Sequence, residues 1–184
     1  MASDPAEEQF ETYDDDGQPL GLAPRSRVHA LGLWHRSTHV LLFADAGVLI
    51  VQRRAAAKDL YPGRWDLSVG EHLKPGEDHL TAAHRGLAEE LGVSGVRLEP
   101  LGAPHRTEHR TRSSDGRLLV DREQQQAFAG LYDGPLTPCA EEVAEVRAVA
   151  LPELAAWVRR APDDFTPWFL EELQRHRLLP EPRP

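Results

Sequence analysis

The chain has 184 residues, of which 40% are hydrophobic, so it can bury one sizeable core but hardly two. Its formal net charge of -9 argues against a protein whose main partner is a nucleic-acid backbone, because such a protein normally needs a basic face. The single cysteine, Cys139, cannot form an internal disulfide, the acidic start lacks a secretory signal, and no apolar run could span a bilayer. We therefore expect a cytoplasmic protein without nucleic-acid or membrane partners.

The first half of the chain predicts two hairpins and a short strand. Residues 10–13 and 18–22 flank an Asp-Asp-Asp-Gly turn, and residues 40–43 and 48–51 flank Asp45-Ala46-Gly47. Residues 65–69 follow as a short strand that leads into a glycine-rich loop. We expect residues 1–6 to be flexible, 7–178 to form a single domain, and 179–184 to be a flexible tail.

Residues 77–91 change to the period of a helix, and Gly92 stands where a helix commonly ends. Arg85, Glu89 and Glu90 are predicted to lie off the apolar face of this helix. That face is expected to comprise Leu80, Ala83, Leu87 and Leu91.

The second half predicts further strands at 96–101, 118–120, 126–132 and 146–151, then helices at 152–160 and from Thr166 to about 176. The basic, histidine-rich residues 105–112 are interpreted as a loop, which either steers an anionic substrate or is an ordinary surface loop. Together these elements predict an α/β (α+β) fold with a mixed β-sheet and helices around it.

The end of the 77–91 helix carries a pair of carboxylates, Glu89 and Glu90. Paired carboxylates near a loop make an oxygen-rich site that suits Mg²⁺ or Mn²⁺. Arg85 is one helical turn before Glu89 and can reach it. The alternative is that both glutamates belong to the solvated face of an amphipathic helix.

Residues 70–77, followed after seven residues by 85–93, resemble the Nudix box. That box runs glycine, five residues, glutamate, seven residues, Arg-Glu, an apolar residue, any residue, Glu-Glu, any residue, glycine, apolar residue. Two positions depart from it, since the box glycine falls on Glu71 and the glutamate of Arg-Glu falls on Gly86. The resemblance implies a Nudix fold, a mixed sheet sandwiched between helices, with the chemistry of diphosphates. In many Nudix hydrolases the missing glutamate binds metal and is a candidate base, so Glu123 or Glu89 would have to replace it.

Outside the box, residues 32–36, 52–54 and 61–66 look like the branch that contains type I isopentenyl diphosphate isomerase and its hydrolase relatives. The resemblance implies a metal site, for Mg²⁺ or Mn²⁺, in which His29 lies one residue from where a further histidine would align. The metal ligands expected on these grounds are Glu89, Glu90, His35, His72, Asp121 and Glu123.

The same resemblance implies a substrate site that contacts a diphosphate through basic side chains and lines its pocket with an aromatic one. The residues expected there are Arg53, Arg54, Lys58 and Trp168. The cysteine used by the isomerases falls on Gly70, so the resemblance describes the scaffold better than the isomerase reaction.

Three functions follow as hypotheses. The first is a metal-dependent Nudix hydrolase of a nucleoside or other organic diphosphate, weakened by Gly86, with Glu89, Glu90, Glu123 and Arg85 as catalytic residues. The second is an isopentenyl diphosphate isomerase-like enzyme, and the third is a non-catalytic domain that binds a diphosphate. The partner in each case is a small-molecule diphosphate, and a homodimer is one open alternative for the assembly. Ordinary structural or surface roles are the competing interpretation of His35 and His72, and the expected one for His39, His79 and His84.

Overall fold

The computed structural model describes residues 7–113 and 116–179. The predicted flexible N-terminus, the two central residues of the 113–116 turn, and residues 180–184 lie outside this range. Leu179, which we assigned to the tail, packs partly buried against the core. Within these residues, none of the helices has the length and apolar character needed to cross a membrane.

The described residues form nine strands and four α-helices, with a single 3-10 turn between the last two helices. In chain order they are β1 (Gln9–Tyr13), β2 (Pro19–Pro24), α1 (Arg25–Leu31), β3 (Trp34–Asp45), β4 (Val48–Arg54), β5 (Trp65–Asp66), β6 (Val69–His72), α2 (His79–Leu91), β7 (Leu98–Arg112), β8 (Leu118–Leu131), β9 (Val143–Ala150), α3 (Leu151–Arg160) and α4 (Pro167–Arg175).

Strand β3 organises the sheet. It pairs parallel with β8 and antiparallel with β1, β4 and β6, while β7 pairs with β8, and β5 and β9 pair with β4. The predicted mixed sheet is therefore confirmed. The parallel register sets His35 beside Glu123, which brings two distant parts of the sequence together.

The sheet is buried on both faces. Val40 and Leu42 face one core cluster with Leu87 and Leu91 of α2, whereas Leu41 faces a second cluster beneath α3 and α4. Because neighbouring residues of a strand point to opposite faces, this alternation places helices on each side of the sheet. Each fully buried side chain of this kind stabilises the fold by about 1.5–3 kcal/mol.

The two predicted hairpins are confirmed as β1–β2 and β3–β4, but two expectations in this half were incomplete. The strand predicted at 65–69 is two strands, because the chain leaves β4 at Asp66 and joins β3 at Val69. Helix α1 was not predicted, since it has seven residues and no side-chain cap at Pro24.

Helix α2 begins after Asp78, whose carboxylate accepts a hydrogen bond from the Thr81 amide, and ends at Gly92 with φ 67° as predicted. Two details of its predicted faces were wrong. Leu80 is 43% exposed, and Glu90 is buried with Gly86 against the sheet. Gly86 and Glu90 share this face because they lie one helical turn apart.

The loop predicted at 105–112 was wrong, since these residues belong to β7 and pair along β8. The strands predicted at 118–120 and 126–132 are likewise one strand. Thr107 and His109 are buried while Glu108 and Arg110 are exposed. Burial therefore alternates from residue to residue as expected of a strand, but the buried residues are polar, so hydrophobicity does not alternate with them. That composition is the reason the strand was interpreted as a loop.

Candidate metal and diphosphate site

Three histidines and one aspartate from four separate elements converge at one end of the sheet. His29 comes from α1, His35 from β3, His72 from β6 and Asp121 from β8, and one ligand atom from each lies within 4.8 Å of the others. Asp121 Oδ1 is 3.4 Å from His35 Nε2 and 3.6 Å from His29 Nε2.

Glu123 completes this group, which we call the histidine cluster. Its Oε1 atom lies 3.2 Å from His72 Nε2 and 3.9 Å from His35 Nε2. Asp121 and Glu123 are two residues apart on β8, so both side chains point to the same face of the strand.

The facing atoms of the cluster are buried and lack hydrogen-bond partners within the described residues. They are His29 Nε2, His35 Nε2, His72 Nε2 and Asp121 Oδ1. Buried polar atoms are normally satisfied, and a cation among these four would satisfy them together. Imidazole and carboxylate donors suit Mn²⁺ or Zn²⁺, whereas Mg²⁺ prefers a set of oxygens. The residues present therefore fit a divalent transition metal.

The ionisation of the cluster suits ligation by imidazole. Burial lowers the pKa of His35 to about 4. Burial and the charge of Arg25 hold the pKa of His72 well below its ordinary value, so both rings are neutral at pH 7. Burial and the neighbouring charge of Glu123 raise the pKa of Asp121. Burial would also raise the pKa of Glu123, but its contact with His72 lowers it overall.

Residues behind the cluster orient its rings by hydrogen bonds, as residues that contact metal ligands commonly do. His35 Nδ1 donates to the Leu33 carbonyl at 3.1 Å, which leaves Nε2 with its lone pair facing the cluster. Arg25 is held by Asp59 at 3.0 Å and donates to His72 Nδ1 at 2.9 Å. With Nδ1 as acceptor, the His72 proton is on Nε2 and must leave when a cation binds.

His29, Arg25 and Asp59 are parts of this site that sequence reasoning did not assign. The sequence places His29 one residue away from the position where a further histidine ligand would align. In the structure His29 lies on α1, and its ring nevertheless reaches Asp121. Arg25 and Asp59 belong to no motif that we recognised, and no local pattern marks them.

Glu89 and Glu90 make their contacts outside the histidine cluster. The Glu89 side chain is 53% exposed and pairs with Arg85 at 3.2 Å and with Lys74 at 3.5 Å. Glu90 is 5% exposed and accepts a hydrogen bond from Gln52 Nε2 at 2.7 Å. Neither glutamate is in the group of ligand atoms that lie within 4.8 Å of one another, so a shared pocket for all six expected metal ligands stays a prediction for Glu89 and Glu90.

Arg85 connects several acidic side chains around the start of α2. It contacts Glu77 at 2.8 Å, Glu71 at 3.0 Å and Glu89 at 3.2 Å, and it donates to the His72 carbonyl at 2.7 Å. These contacts tie the helix to the end of β6 and make Arg85 a positioning residue.

The two arginines predicted to bind phosphate lie on opposite faces of β4. Arg54 is buried and donates to Asp66 Oδ2 at 3.1 Å, whereas Arg53 is exposed and donates to the Gly63 carbonyl. Lys58 forms an ion pair with Glu142 and interacts electrostatically with Glu90. Burial lowers the pKa of Lys58, with the charge of Glu90 opposing that effect. The structure thus groups Arg54 and Lys58 near Glu90 and leaves Arg53 apart.

Trp168 forms part of an aromatic wall. Its Nε1 donates to Asp66 Oδ1 at 2.8 Å, and its ring meets the edges of Tyr61 at 5.2 Å and His109 at 5.8 Å between centroids. His109 Nε2 is buried without a hydrogen-bond partner among the residues described. His109 was missed because its segment was interpreted as a loop.

Gly70, at the position of the isomerase cysteine, faces His39. A Cβ built there would lie 3.7 Å from His39 Cδ2, an ordinary contact, so a side chain would begin without a clash. His39 is itself buried against Glu172 at 3.2 Å. The amide of Cys139 donates to the Glu90 carbonyl, which places this residue at the far end of α2.

Comparison with known proteins agrees with this architecture. The model of the NUDIX domain matches residues 33–169. A Nudix hydrolase of Pseudomonas aeruginosa is 37% identical over 169 residues, covering 90% of this chain and 89% of that protein. An isopentenyl-diphosphate delta-isomerase of Streptomyces avermitilis is 38% identical over 169 residues, covering 91% of this chain and 83% of that protein.

Solved structures show the same fold. DR0079 from Deinococcus radiodurans superposes with a TM-score of 0.68 at 21% identity, covering 91% of this chain and 98% of that one. The domain match and the two relatives extend over most of the chain, which therefore belongs to the Nudix family, with hydrolases and isopentenyl-diphosphate isomerases among its relatives.

Proposed function

We propose that the protein is a metal-dependent hydrolase of a nucleoside or other organic diphosphate. The observation that carries this proposal is the convergence of unpartnered ligand atoms in the histidine cluster. Family membership supports hydrolysis, because a Nudix hydrolase is among the relatives that match nearly the full chain.

A cation held by His29, His35, His72, Asp121 and Glu123 would supply Lewis-acid stabilisation of charge that develops on the diphosphate. Lys58 and Arg54 add positive charge near Glu90. This positive charge would attract the diphosphate and reduce its repulsion from the acidic side chains of the protein. Trp168, Tyr61 and His109 would contact the organic part of the substrate and exclude water from it.

The two residues predicted to replace the missing base are poorly suited to that role. Glu89 is exposed and engaged by Arg85 and Lys74, and Glu123 has a lowered pKa. Glu71 is the better candidate, because its side chain is only 16% exposed and, even with Arg85 at 3.0 Å, burial and the charge of Glu90 raise its pKa to about 7. A base whose pKa is near the working pH transfers protons most efficiently.

Purified protein incubated with Mn²⁺ or Mg²⁺ and a panel of organic diphosphates tests this proposal through the release of a phosphorylated product. Asp121→Asn is expected to lower kcat/KM by about 10²-fold or more, since it removes a ligand of the cation. Glu99→Gln is a matched control, because Glu99 is exposed and pairs only with neighbouring Arg97 within the described chain. Absence of turnover by the wild type across the panel with both metals would refute the proposal.

An isomerase acting on isopentenyl diphosphate is the second candidate, favoured by the Streptomyces relative and by the histidine cluster. Gly70 counts against it, since it provides no thiol. Incorporation of deuterium from D₂O into isopentenyl diphosphate would support isomerisation. Exchange that appears only in Gly70→Cys would show that the scaffold is retained while the wild type has another reaction.

A further inference from the structure

Beyond the histidine cluster, the same face of the sheet carries a second group of polar side chains. His39 lies four residues after His35 on β3, and Gln125 lies two residues after Glu123 on β8, so each shares a face with its counterpart. Gly70 of β6 is the register partner of His39. The face that carries the cluster therefore continues along three strands to His39.

The carboxylate of Glu172 holds the His39 ring in place from α4. Glu172 is 1% exposed, and its Oε1 lies 3.2 Å from His39 Nδ1. An ionised carboxylate only accepts hydrogen bonds, so Nδ1 is the donor and carries a proton. Gln125 donates to the same carboxylate, while His105 and His176 face it at 3.9 and 2.7 Å. A buried carboxylate without a cationic partner is costly, so this arrangement favours a charged imidazole beside Glu172.

The groups around His39 favour its charged form. Burial would lower the pKa of His39, but the hydrogen bond and charge of Glu172 raise it overall, with smaller contributions from the charges of Glu123 and Asp66. At pH 7 a larger fraction of His39 is therefore protonated than of a histidine in water.

The second ring nitrogen of His39, Nε2, faces the space beside Gly70. A Cβ built on Gly70 would lie 3.8 Å from Nε2 and 3.7 Å from Cδ2, an ordinary contact. Because glycine lacks this atom, position 70 leaves that edge of the ring uncovered, and Gly70 is itself partly exposed. Nε2 makes no hydrogen bond within residues 7–113 and 116–179. Since a protonated imidazole has an N–H on both nitrogens, Nε2 is a donor without an acceptor there.

His39 lies between the histidine cluster and the aromatic wall. On one side, His39 and Glu123 each shift the pKa of the other. On the other side, Glu172 follows Trp168 by about one helical turn on α4, so both side chains are on one face of that helix and both are buried. A diphosphate bound to a cation in the cluster, with its organic part against Trp168, would pass beside Nε2.

We propose that His39, oriented by Glu172, is a substrate-binding residue whose Nε2–H donates to an anionic oxygen of the diphosphate in the space that Gly70 leaves open. Its positive charge attracts the diphosphate and stabilises the charge that develops on it during hydrolysis. Glu172 acts through His39 and is a positioning residue. The part of His39 in turnover rests on the proposed hydrolase, whereas the binding of a diphosphate does not.

Calorimetric titration with methylenediphosphonate, a diphosphate analogue that resists hydrolysis, tests this contact without turnover. With Mn²⁺ present at pH 7, His39→Gln is expected to raise the dissociation constant about 10-fold, since a charged hydrogen bond is lost. Gly70→Val should have a similar effect, because its side chain would cover Nε2 while His39 and Glu172 remain. His84→Gln, on α2, should bind the analogue as the wild type does.

The pH dependence separates a charged contact from a purely structural one. The affinity of the wild type relative to His39→Gln at the same pH, in which the ionisation of the analogue cancels, should fall as the pH rises through the pKa of His39. In Glu172→Gln this fall should come at lower pH, because the carboxylate that raises the pKa is gone. Nitrogen-15 shifts of the His39 ring should show both nitrogens protonated in the wild type at pH 6.

Three results would overturn the proposal. The first is a neutral His39 ring in the wild type at pH 6. The second is a wild type that does not bind the analogue in the presence of Mn²⁺, or a His39→Gln variant that binds it equally well. The third is weak binding by His39→Gln with unchanged binding by Gly70→Val, because the loss would then come from the fold and not from Nε2.

Activity assays separate this inference from the proposed function. His39→Gln is expected to lower kcat/KM for hydrolysis by about 10²-fold, since a donor to the developing charge is lost. If the wild type hydrolyses no diphosphate, yet His39→Gln and Gly70→Val both weaken binding of the analogue, the function fails and the contact stands. If hydrolysis and affinity are both unchanged in His39→Gln, the contact fails and the function stands.

Discussion

Gly86 lies where α2 presses against β6, and its missing side chain has an energetic consequence. We expect Gly86→Ala to destabilise the protein by about 1–3 kcal/mol, because a new Cβ would meet Val69 Cγ1 at 2.7 Å. This result opposes the intrinsic preference of helices for alanine, which favours the substitution by about 1 kcal/mol. Urea unfolding measures the difference in the free energy of unfolding between Gly86→Ala and the wild type.

Ala88→Gly measures how much helix propensity alone contributes to the free energy of unfolding, since Ala88 is on the exposed face of the same helix. The Val69→Ala background should remove most of the penalty of Gly86→Ala, and a double-mutant cycle would show the coupling. A Gly86→Ala variant more stable than wild type would contradict the close packing described for this helix.

Asp66 joins three elements through one buried carboxylate. It accepts hydrogen bonds from Arg54 on β4 and from Thr166 and Trp168 at the start of α4. Thr166 occupies the predicted N-cap position of α4, yet its hydroxyl binds Asp66 instead of capping the helix. The aromatic wall therefore depends on a contact between distant segments.

We expect Asp66→Asn to destabilise the fold by about 3–5 kcal/mol, because it leaves the Arg54 charge buried without its partner. Thermal and urea unfolding check this value. Asp163→Asn, on the exposed 3-10 turn, should change stability by less than about 0.5 kcal/mol. Equal effects of the two substitutions would show that the Asp66 carboxylate contributes nothing to the anchoring of α4.

His39 links β3 to α4 through Glu172, and this pair makes stability depend on pH. Burial would lower the pKa of His39, but its hydrogen bond with Glu172 raises it above 6.5. Burial would raise the pKa of Glu172, but His39 and the nearby His176 and His105 lower it below 4.5. Both groups are thus charged in the folded state between these values.

The histidine contributes stability that is fully present below pH 6.5 and is lost as the pH rises through its folded pKa. The glutamate contributes stability that is present above pH 4.5 and is lost as the pH falls through its folded pKa. The free-energy difference between wild type and His39→Gln should therefore be largest between these limits and shrink at alkaline pH. Urea unfolding over pH 4–9 checks it, with His84→Gln as the control. A difference that grows at alkaline pH would contradict this assignment.

The histidine cluster joins α1, β3, β6 and β8, so a bound cation should stabilise the folded chain as a unit. A ligand at 100 times its dissociation constant stabilises by about 2.7 kcal/mol, which is roughly 5–10 °C in Tm for a chain of this size. We expect Mn²⁺ to raise Tm by this amount and a chelator to reverse it. His35→Gln should abolish most of the response, whereas His84→Gln should keep it. A response equal in both variants would place the stabilising cation elsewhere.

Local patterns were sufficient for much of the fold. The hairpins around β1 and β3, helix α2 with its terminal glycine, and helices α3 and α4 each have a signal within a few residues of sequence. The long hairpin of β7 and β8 was not recognised, because its polar strands derive their order from pairing with each other and with β3.

The sequence also indicated His35, His72, Asp121 and Glu123 as site residues, because the resemblance to the branch that contains the isomerases extends over most of the chain, well beyond the Nudix box. It could not place His29 among them, pair Glu90 with Gln52, or set Glu71 against Gly86. These relations depend on the parallel register of β3 with β8 and on the packing of α2 against β6. Contacts between segments so far apart in the chain arise only when the sheet assembles, so no local pattern encodes them.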